Sequence, residues 1–182
     1  PALLSRLYNG IDSFPLLAVP FFILAGELMN SGGITERIVR LSQSLVGHVR
    51  GGLAQVNILS SMLFAGISGS AVADASAIGK MMVPAMERNG YTRAFAAAVT
   101  AAAAVIGPII PPSGIMILYG FVMNVSIGAL FAGGIVPGVL IGLGLMAVTR
   151  LLAARHNLPG ASRRATWRER GGAFKGAALA LL

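Results

Sequence analysis

The strongest constraint on this fold is a very long stretch without charge. Residues 94–149 contain no Asp, Glu, Lys, Arg or His. Only 11% of the chain is charged, whereas an ordinary soluble domain has about 25% charged residues. A helix crosses the hydrocarbon core of a bilayer with about 20 apolar residues. The sequence therefore predicts an all-α, polytopic membrane protein.

The charge of the chain points in the same direction. The formal net charge is +8 at pH 7, which in a soluble protein would suggest a nucleic-acid partner. Here the basic residues cluster in the gaps between apolar runs, as they do in cytoplasmic loops of membrane proteins. We therefore expect a lipid bilayer around the chain and no nucleic-acid partner. The absence of cysteine excludes disulfides and thiolate metal sites from this sequence.

The apolar runs and their interruptions divide residues 1–182 into segments of one partial transmembrane domain. These are a span at 14–30, an interfacial amphipathic helix at 34–50, a re-entrant hairpin at 53–85, a broken span at 94–123, a span at 127–149 and a basic cytoplasmic loop at 150–175. The chain begins at Pro1 and ends in a short apolar run. We expect it to be an internal piece of a longer polypeptide, with further spans on either side.

Residues 34–50 have the pattern of a helix with one apolar face. The apolar side chains that recur at helical spacing are Ile34, Ile38, Leu41, Leu45 and Val49. A basic amphipathic helix of this kind is typical of a segment that lies in the plane of the membrane interface. We predict a surface-lying connector here, with His48 solvated at the interface rather than bound to a metal.

The basic residues decide between one crossing and a return for segment 53–85. A single crossing would place segment 31–52 and the polar turn 86–93, which both carry Arg, on opposite sides of the membrane. The positive-inside rule prefers both in the cytoplasm. If the chain turns back, each arm of about 14 residues is too short to span but fits a re-entrant hairpin. The uncharged turn at Asn124 then lies outside, and the basic loop lies inside.

The sequence GISGS, residues 66–70, marks the predicted tip of this hairpin. Its glycines and serines allow the chain to turn and expose carbonyls and hydroxyls. Non-helical backbone at membrane depth is tolerated only where it is buried in protein or lines a wet cavity. The alternative is helix packing, because Gly66 with Ser70, or Gly69 with Ala73, fits a small-xxx-small contact face.

The sequence IIPPSG, residues 109–114, interrupts the next span. Pro111 and Pro112 remove two backbone donors and disfavour helix at the residues before them, which frees carbonyls around Gly107. Ser113 adds a hydroxyl before the half-helix that follows. Freed carbonyls coordinate Na⁺, half-helix N-termini attract anions, and paired interrupted segments indicate a transporter site. The alternative is a simple proline kink.

Asp74 and Thr100 are further candidates. Asp74 lies six residues beyond Ser68, and a carboxylate at this depth is a functional candidate near a cation. Its alternative role is a structural cap of the second arm. Thr100 lies on an Ala-rich face, and its hydroxyl could instead bond back to its own helix. We expect Glu27 to be solvated and Lys80 to reach the interface.

Two longer stretches resemble a known family. They are FAGISGSAVADASAIG, from Phe64 to Gly79, and GYTRAFAAAVTAAAAVIGPIIPPSGIMILYG, from Gly90 to Gly120. Together they resemble the large membrane subunit of tripartite ATP-independent periplasmic (TRAP) transporters, the DctM-like permeases. The resemblance runs from Phe14 to Arg150, with a family-like loop after it.

The resemblance implies a secondary transporter, multi-pass in the cytoplasmic (inner) membrane of a bacterium or archaeon. Such permeases have two inverted repeats, each with a re-entrant hairpin and a discontinuous helix, and they move as an elevator. Their partners are a small four-helix membrane subunit and a periplasmic substrate-binding protein. They import organic acids, such as C4-dicarboxylates or sialic acid, with Na⁺ as the coupling ion and no other cofactor. This chain would supply one repeat.

The resemblance also implies where Na⁺ binds, namely between the hairpin tip and the facing broken helix. The residues that take this role here are Ser68, Gly69, Ser70, Pro111, Pro112 and Ser113. Possible further members of an ion or substrate site are Asp74, Gly107 and Thr100. No metal other than the proposed Na⁺ is expected.

A passive channel or a scaffold subunit of a membrane complex is the alternative class. In it, the two breaks would form a pore constriction or a packing joint. The chain has two His and lacks paired carboxylates at metal-ligand spacing, so we expect no enzyme activity. The residues alone leave Na⁺ and H⁺ open as the coupling ion, and the resemblance favours Na⁺.

Overall fold

The computed structural model describes residues 14–155, 158 and 165–181. The regular elements of these residues are all α-helices, which confirms the predicted all-α class. The helices are α1 (Phe14–Ser31), α2 (Ile34–Val46), α3 (Gly52–Ser68), α4 (Ala71–Arg88), α5 (Arg93–Ala104), α6 (Gly114–Met123), α7 (Ile127–Arg155) and α8 (Trp167–Leu181).

Among the described residues, one helix is long and apolar enough to cross a membrane by itself. It is α7, with 29 residues, and only 17% of its most apolar window is buried inside this chain. Four other apolar helices, which include α3, α5 and α6, are shorter. The break between α5 and α6 is what keeps 94–123 from forming a second long helix.

Helices α3 and α4 form an antiparallel hairpin. Helix α3 ends at Ser68, Gly69 takes a left-handed conformation with φ 56°, and Ser70 is extended before α4 begins. A left-handed residue ends a helix at low cost when it is glycine. The far ends of the two arms lie side by side, because Asn57 Nδ2 of α3 is 3.7 Å from Met86 Sδ of α4.

The arms are longer than the sequence predicted. Helix α3 has 17 residues and α4 has 18, so each extends roughly 26 Å at 1.5 Å per residue. The sequence predicted a second arm that ends at Ala85, but α4 continues through Glu87 and Arg88 to the turn at Asn89 and Gly90. Charged residues at a helix end do not stop the helix, whereas the Asn-Gly turn does.

The hairpin is the centre of the packing. One cluster joins α2, α3 and α4 through Ile38, Val56, Phe64, Ile78 and Met82 together with smaller neighbours. A second joins α3, α5 and the end of α4 through Ala54, Ile58, Met86, Tyr91, Ala96, Val99 and Ala103. Lipid tails are as apolar as these side chains, so close packing rather than burial alone stabilises such contacts in a bilayer.

Helix α2 makes more contacts than a surface-lying connector would need. It packs against α3 and α8, and Arg37 donates to the Gly176 carbonyl of α8 at 3.4 Å. Ile38 and Leu41 of the predicted apolar face are buried, but Leu45 is 42% exposed. The helix ends at Val46 because Gly47 and the left-handed Gly51 follow. Its position at the membrane interface stays a prediction.

The predicted basic loop at 150–175 is partly helical. Helix α7 continues to Arg155, and α8 begins at Trp167. Leu and Ala after Arg150 are good helix formers, and arginine side chains can extend towards water while their backbone stays helical. Residues 156, 157 and 159–164 of this predicted loop lie outside the described residues.

Candidate functional site: the hairpin tip and the broken helix

The tip of the hairpin is a compact hydrogen-bonded turn. The Ser68 hydroxyl donates to Asp74 Oδ1 and accepts from the Ser70 amide at 3.3 Å. The Asp74 amide donates to the Ser70 carbonyl at 3.0 Å, and Ser70 Oγ accepts from the Ala73 amide at 3.4 Å. Ser70 is therefore the N-cap of α4, and Ser68 ties the end of α3 to the first turn of α4.

Asp74 has one satisfied and one unsatisfied carboxylate oxygen. The residue is completely buried, and its Oδ2 atom lacks a hydrogen-bond partner among the described residues. A buried carboxylate oxygen without a partner is costly unless it is protonated or faces a cation. Asp74 lies in the first turn of α4, where the helix dipole adds a favourable field for negative charge. Its side chain therefore joins the two arms through Ser68 and leaves one oxygen without a partner.

The broken segment packs directly on this tip. A Cβ atom added at Gly107 would lie 2.8 Å from Asp74 Oδ2 and 3.1 Å from the carbonyl carbon of Ser70. A Cβ atom at Gly66 would lie 3.7 Å from the Pro111 carbonyl oxygen. The two interruptions predicted from the sequence therefore meet, with glycine on each side of the contact.

Segment 105–113 joins the halves of the broken helix as a series of turns. The amides of Ile109 and Ile110 both donate to the Ile106 carbonyl at 3.0 Å. Pro111 and Pro112, whose peptide bond is cis, are partly buried. Ser113 is completely buried and caps α6, since its hydroxyl accepts from the Met116 amide at 3.4 Å. Two serine-capped half-helices thus begin at the two breaks.

A stripe of glycines on α7 supports the broken segment from behind. Gly134 faces the Ile109 carbonyl and the Met116 side chain, Gly138 faces the Ile110 side chain, and Gly142 faces Met62 of α3. A side chain at any of these positions would overlap its neighbour. The four-residue spacing is a small-xxx-small pattern. This pattern is visible in the sequence, but the sequence prediction applied it only to the hairpin tip and not to α7.

The structure brings most of the predicted residues together, but not Thr100. Ser68, Gly69, Ser70, Asp74 and Gly107 form one continuous contact, which Pro111 joins through Gly66. Pro112 and Ser113 follow Pro111 directly.

Thr100 makes its polar contacts elsewhere. Its hydroxyl donates to the Ala96 carbonyl of its own helix at 2.8 Å and accepts from Asn57 Nδ2 at 2.7 Å. The bond from Thr100 to its own helix is the alternative that the sequence analysis gave for this residue. Asn57 was missed by sequence reasoning, although an amide within the apolar run of α3 is a signal in itself.

A cavity adjoins the tip on the side of α1. It measures about 480 Å³ and is lined by Ser68 and Ser70 at one end, with Glu27, Asn30 and Lys80 among the other polar residues. Glu27 and Lys80 are exposed. The tip hydroxyls are therefore reachable from a space large enough for a small organic molecule.

The donors at this contact suit a hard cation. Serine hydroxyls, a free carboxylate oxygen and backbone carbonyls are oxygen ligands, which alkali and alkaline-earth ions prefer. Within the described part of the chain, His, Cys, Asp and Glu do not gather in groups of three or more that could hold a metal. Paired interruptions at which helix ends and free oxygens meet are typical of secondary transporters.

Comparison with known proteins gives the family. The model of the tripartite ATP-independent periplasmic transporter, DctM component, matches residues 1–182, and the chain belongs to this family.

Similar proteins with curated names are TRAP transporter large permeases. The chain is 49% identical over 162 residues to a sialic acid TRAP transporter large permease protein of Vibrio cholerae, covering 87% of this chain and 38% of the relative. It is 49% identical over 153 residues to the 2,3-diketo-L-gulonate large permease of Escherichia coli, covering 84% and 36%. It is 41% identical over 158 residues to the C4-dicarboxylate large permease of Pseudomonas aeruginosa, covering 87% and 37%. The chain thus spans less than two fifths of these relatives.

Proposed function

We propose that this chain is the part of a TRAP transporter large permease that binds the coupling Na⁺ during import of an organic acid. The observation that carries the proposal is the contact between the hairpin tip and the broken helix at Asp74 and Gly107. The named substrates of the three relatives, sialic acid, 2,3-diketo-L-gulonate and C4-dicarboxylates, are all organic acids. We extend that substrate class to this protein.

Na⁺ binds where both interruptions supply oxygen atoms. Ser68 Oγ, Asp74 Oδ2 and the carbonyls of segment 107–112 are the donors, with Gly69 and Ser70 shaping the turn that presents them. The unpaired Asp74 oxygen supports this assignment, because a bound cation would offset the cost of burying a carboxylate. Thr100 is not a ligand in this proposal, since its hydroxyl oxygen accepts from Asn57 Nδ2 and takes no part in the contact at the tip.

The carboxylate of the substrate binds beside the ion, near Ser70 and Ser113. Both serines precede half-helices whose N-termini attract anions. The cavity that reaches Ser68 and Ser70 supplies room on the α1 side. Na⁺ and carboxylate then stabilise each other, which couples the binding of one to the binding of the other.

The hairpin enters the membrane from the cytoplasmic side and returns to it. Its antiparallel arms bring segments 31–52 and 86–93 to the same end, which agrees with the placement of both basic segments in the cytoplasm. The arms have 17 and 18 residues, the lower end of the length that crosses the roughly 30 Å hydrocarbon core, and we place the tip within the bilayer. The cytoplasmic membrane is the proposed location, with an elevator movement carrying the site across.

The proposed partners are a small four-helix membrane subunit and a periplasmic substrate-binding protein. Support comes from the family, whose name describes a tripartite, periplasmic transporter. Co-purification of two such proteins with the full-length permease is the expected observation.

Na⁺-dependent uptake tests the proposed function. In the full-length protein reconstituted with its partners, Ser68→Ala and Ser113→Ala are expected to raise the Na⁺ concentration for half-maximal uptake by about tenfold, the effect of losing one hydrogen bond or ligand of about 1.4 kcal/mol. Ser126→Ala, at an exposed position before α7 and outside the cavity, is the matched control. Unchanged Na⁺ titrations in both site variants would contradict the assignment, and downhill flux independent of Na⁺ and H⁺ would favour a channel.

A further inference from the structure

A buried polar contact lies away from the ion site, between α3 and α5. Asn57 Nδ2 of α3 donates to Thr100 Oγ1 of α5 at 2.7 Å. Asn57 is 0% and Thr100 4% exposed. Thr100 uses its only hydroxyl hydrogen on the Ala96 carbonyl, so towards Asn57 it can only accept. The orientation of the amide is therefore determined, with the nitrogen facing Thr100.

The same contact involves the second arm. Asn57 Nδ2 is 3.7 Å from Met86 Sδ of α4. A Cβ atom added at Gly79 of α4 would lie 3.4 Å from Thr100 Cγ2, which is ordinary van der Waals distance. Helices α3, α4 and α5 thus meet around the Asn57–Thr100 hydrogen bond.

The contact and the ion site are connected along α3 and through the end of α5. Helix α5 ends at Ala104, and Gly107 follows in a turn in which its amide donates to the Ala104 carbonyl at 3.0 Å. Asn57 and Ser68 are eleven residues apart, close to three turns. Sliding α5 along α3 by one residue would break the Asn57–Thr100 bond and also move Gly107 away from Asp74.

Small residues surround this contact, so the hydrogen bond between Asn57 and Thr100 fixes the register of α5 against the hairpin. The face of α5 that packs on the hairpin consists of Ala96, Val99, Thr100, Ala103 and Ala104. Alanine faces fit against one another in several registers, whereas a hydrogen bond in a low-dielectric interior is satisfied in one. The Asn57 amide oxygen is buried without a partner among the described residues, so loss of the bond made by its nitrogen would leave the whole amide unpaired, which is costly.

We propose that Asn57 and Thr100 are positioning residues that hold the broken helix in the register that the ion site requires. They act on Na⁺ through Gly107 and Asp74 and do not touch the ion. This inference rests on the proposed function, because it concerns the affinity of the proposed Na⁺ site.

The test is a Na⁺ titration of substrate uptake by the full-length permease, reconstituted with its partner subunits. Thr100→Val keeps the shape but removes the acceptor, and it is expected to raise the half-saturating Na⁺ concentration by about tenfold. The maximal rate at saturating Na⁺ is expected to stay within about twofold of the wild-type rate, because the ligands themselves are intact. Thr100→Ser retains the hydroxyl and is expected to restore the wild-type titration.

Two further variants separate positioning from general stability. Thr149→Val changes another buried threonine, on α7, and is expected to leave the Na⁺ titration unchanged. Asn57→Ala is expected to raise the half-saturating Na⁺ concentration as Thr100→Val does. The double variant is expected to raise it no further than Asn57→Ala alone, since both changes remove the same bond.

The outcomes are distinguishable. A Thr100→Val protein that is less stable or less abundant but keeps the wild-type Na⁺ titration overturns the inference, because its role would be structural only. Additive shifts in the double variant also overturn it. Wild-type uptake that does not depend on Na⁺ overturns the proposed function itself, and this inference with it.

Discussion

Asp74 and Gly107 define the site at the scale of single residues. The buried carboxylate has one oxygen bonded to Ser68 and one without a partner. Gly107 lies so close to that free oxygen that only a residue without a side chain fits. The contact therefore depends on a glycine packed against a buried carboxylate oxygen, where a methyl group would overlap that oxygen.

The substitution Gly107→Ala tests this contact. The added methyl group would lie within 2.8 Å of Asp74 Oδ2, so the tip has to shift, at a cost of about 1–3 kcal/mol. We expect the half-saturating Na⁺ concentration for uptake to rise by about tenfold. Gly144→Ala is the control, because a Cβ atom there meets nothing within 4 Å. Equal titrations for the two variants would show that the contact is not needed for ion binding.

Sequence reasoning works best for residues whose chemistry is local. Glycine with serine, and two consecutive prolines, disfavour helix locally, so the breaks at 66–70 and 109–114 were predictable, although Gly133, Gly134 and Pro137 lie within the continuous helix α7. The partner that each residue contacts was not predictable. Thr100 bonds to Asn57, 43 positions away, and the sequence does not specify how far α5 slides along α3. The free oxygen of Asp74 is likewise a property of the packing.

The hairpin is the central element. Its helices contact α2 on one side and α5 on the other, and its tip supplies half of the candidate site. The sequence predicted where the chain turns but underestimated the arms, because helix length follows from the capping turn at Asn89 and Gly90 rather than from where charges begin. The glycine stripe of α7 was missed because its function is visible only once Ile109, Ile110 and Met62 are seen against it.

The proposed return of the hairpin predicts a labelling pattern. In a cysteine-free full-length protein, Gln43→Cys and Asn89→Cys, both at exposed positions, are expected to react with an impermeant maleimide only from the cytoplasmic side. Asn124→Cys is expected to react only from the outside, since α5 and α6 together cross once. Labelling of positions 43 and 89 from opposite faces would exclude a hairpin that returns to its side of entry.

At the scale of the whole molecule, this chain is one part of a larger permease. It covers 36–38% of the length of the three relatives compared above. The long apolar helix α7 exposes most of its surface, which in the full protein faces lipid or further helices. In the proposed function, substrate choice, partner binding and elevator movement belong to the full-length transporter, whereas the proposed ion site is contained in the described residues.

Direct binding of ²²Na⁺ to the purified full-length permease tests the central claim. Asp74→Asn removes the charge and keeps the size, and we expect the Kd for Na⁺ to rise at least about tenfold, because an interaction with a charged group contributes about 1.5–3 kcal/mol. Glu87→Gln, at the far end of α4 beside Arg93, is expected to bind Na⁺ as the wild type does. Identical Na⁺ isotherms for wild type and Asp74→Asn would contradict an ion held between the hairpin tip and the broken helix.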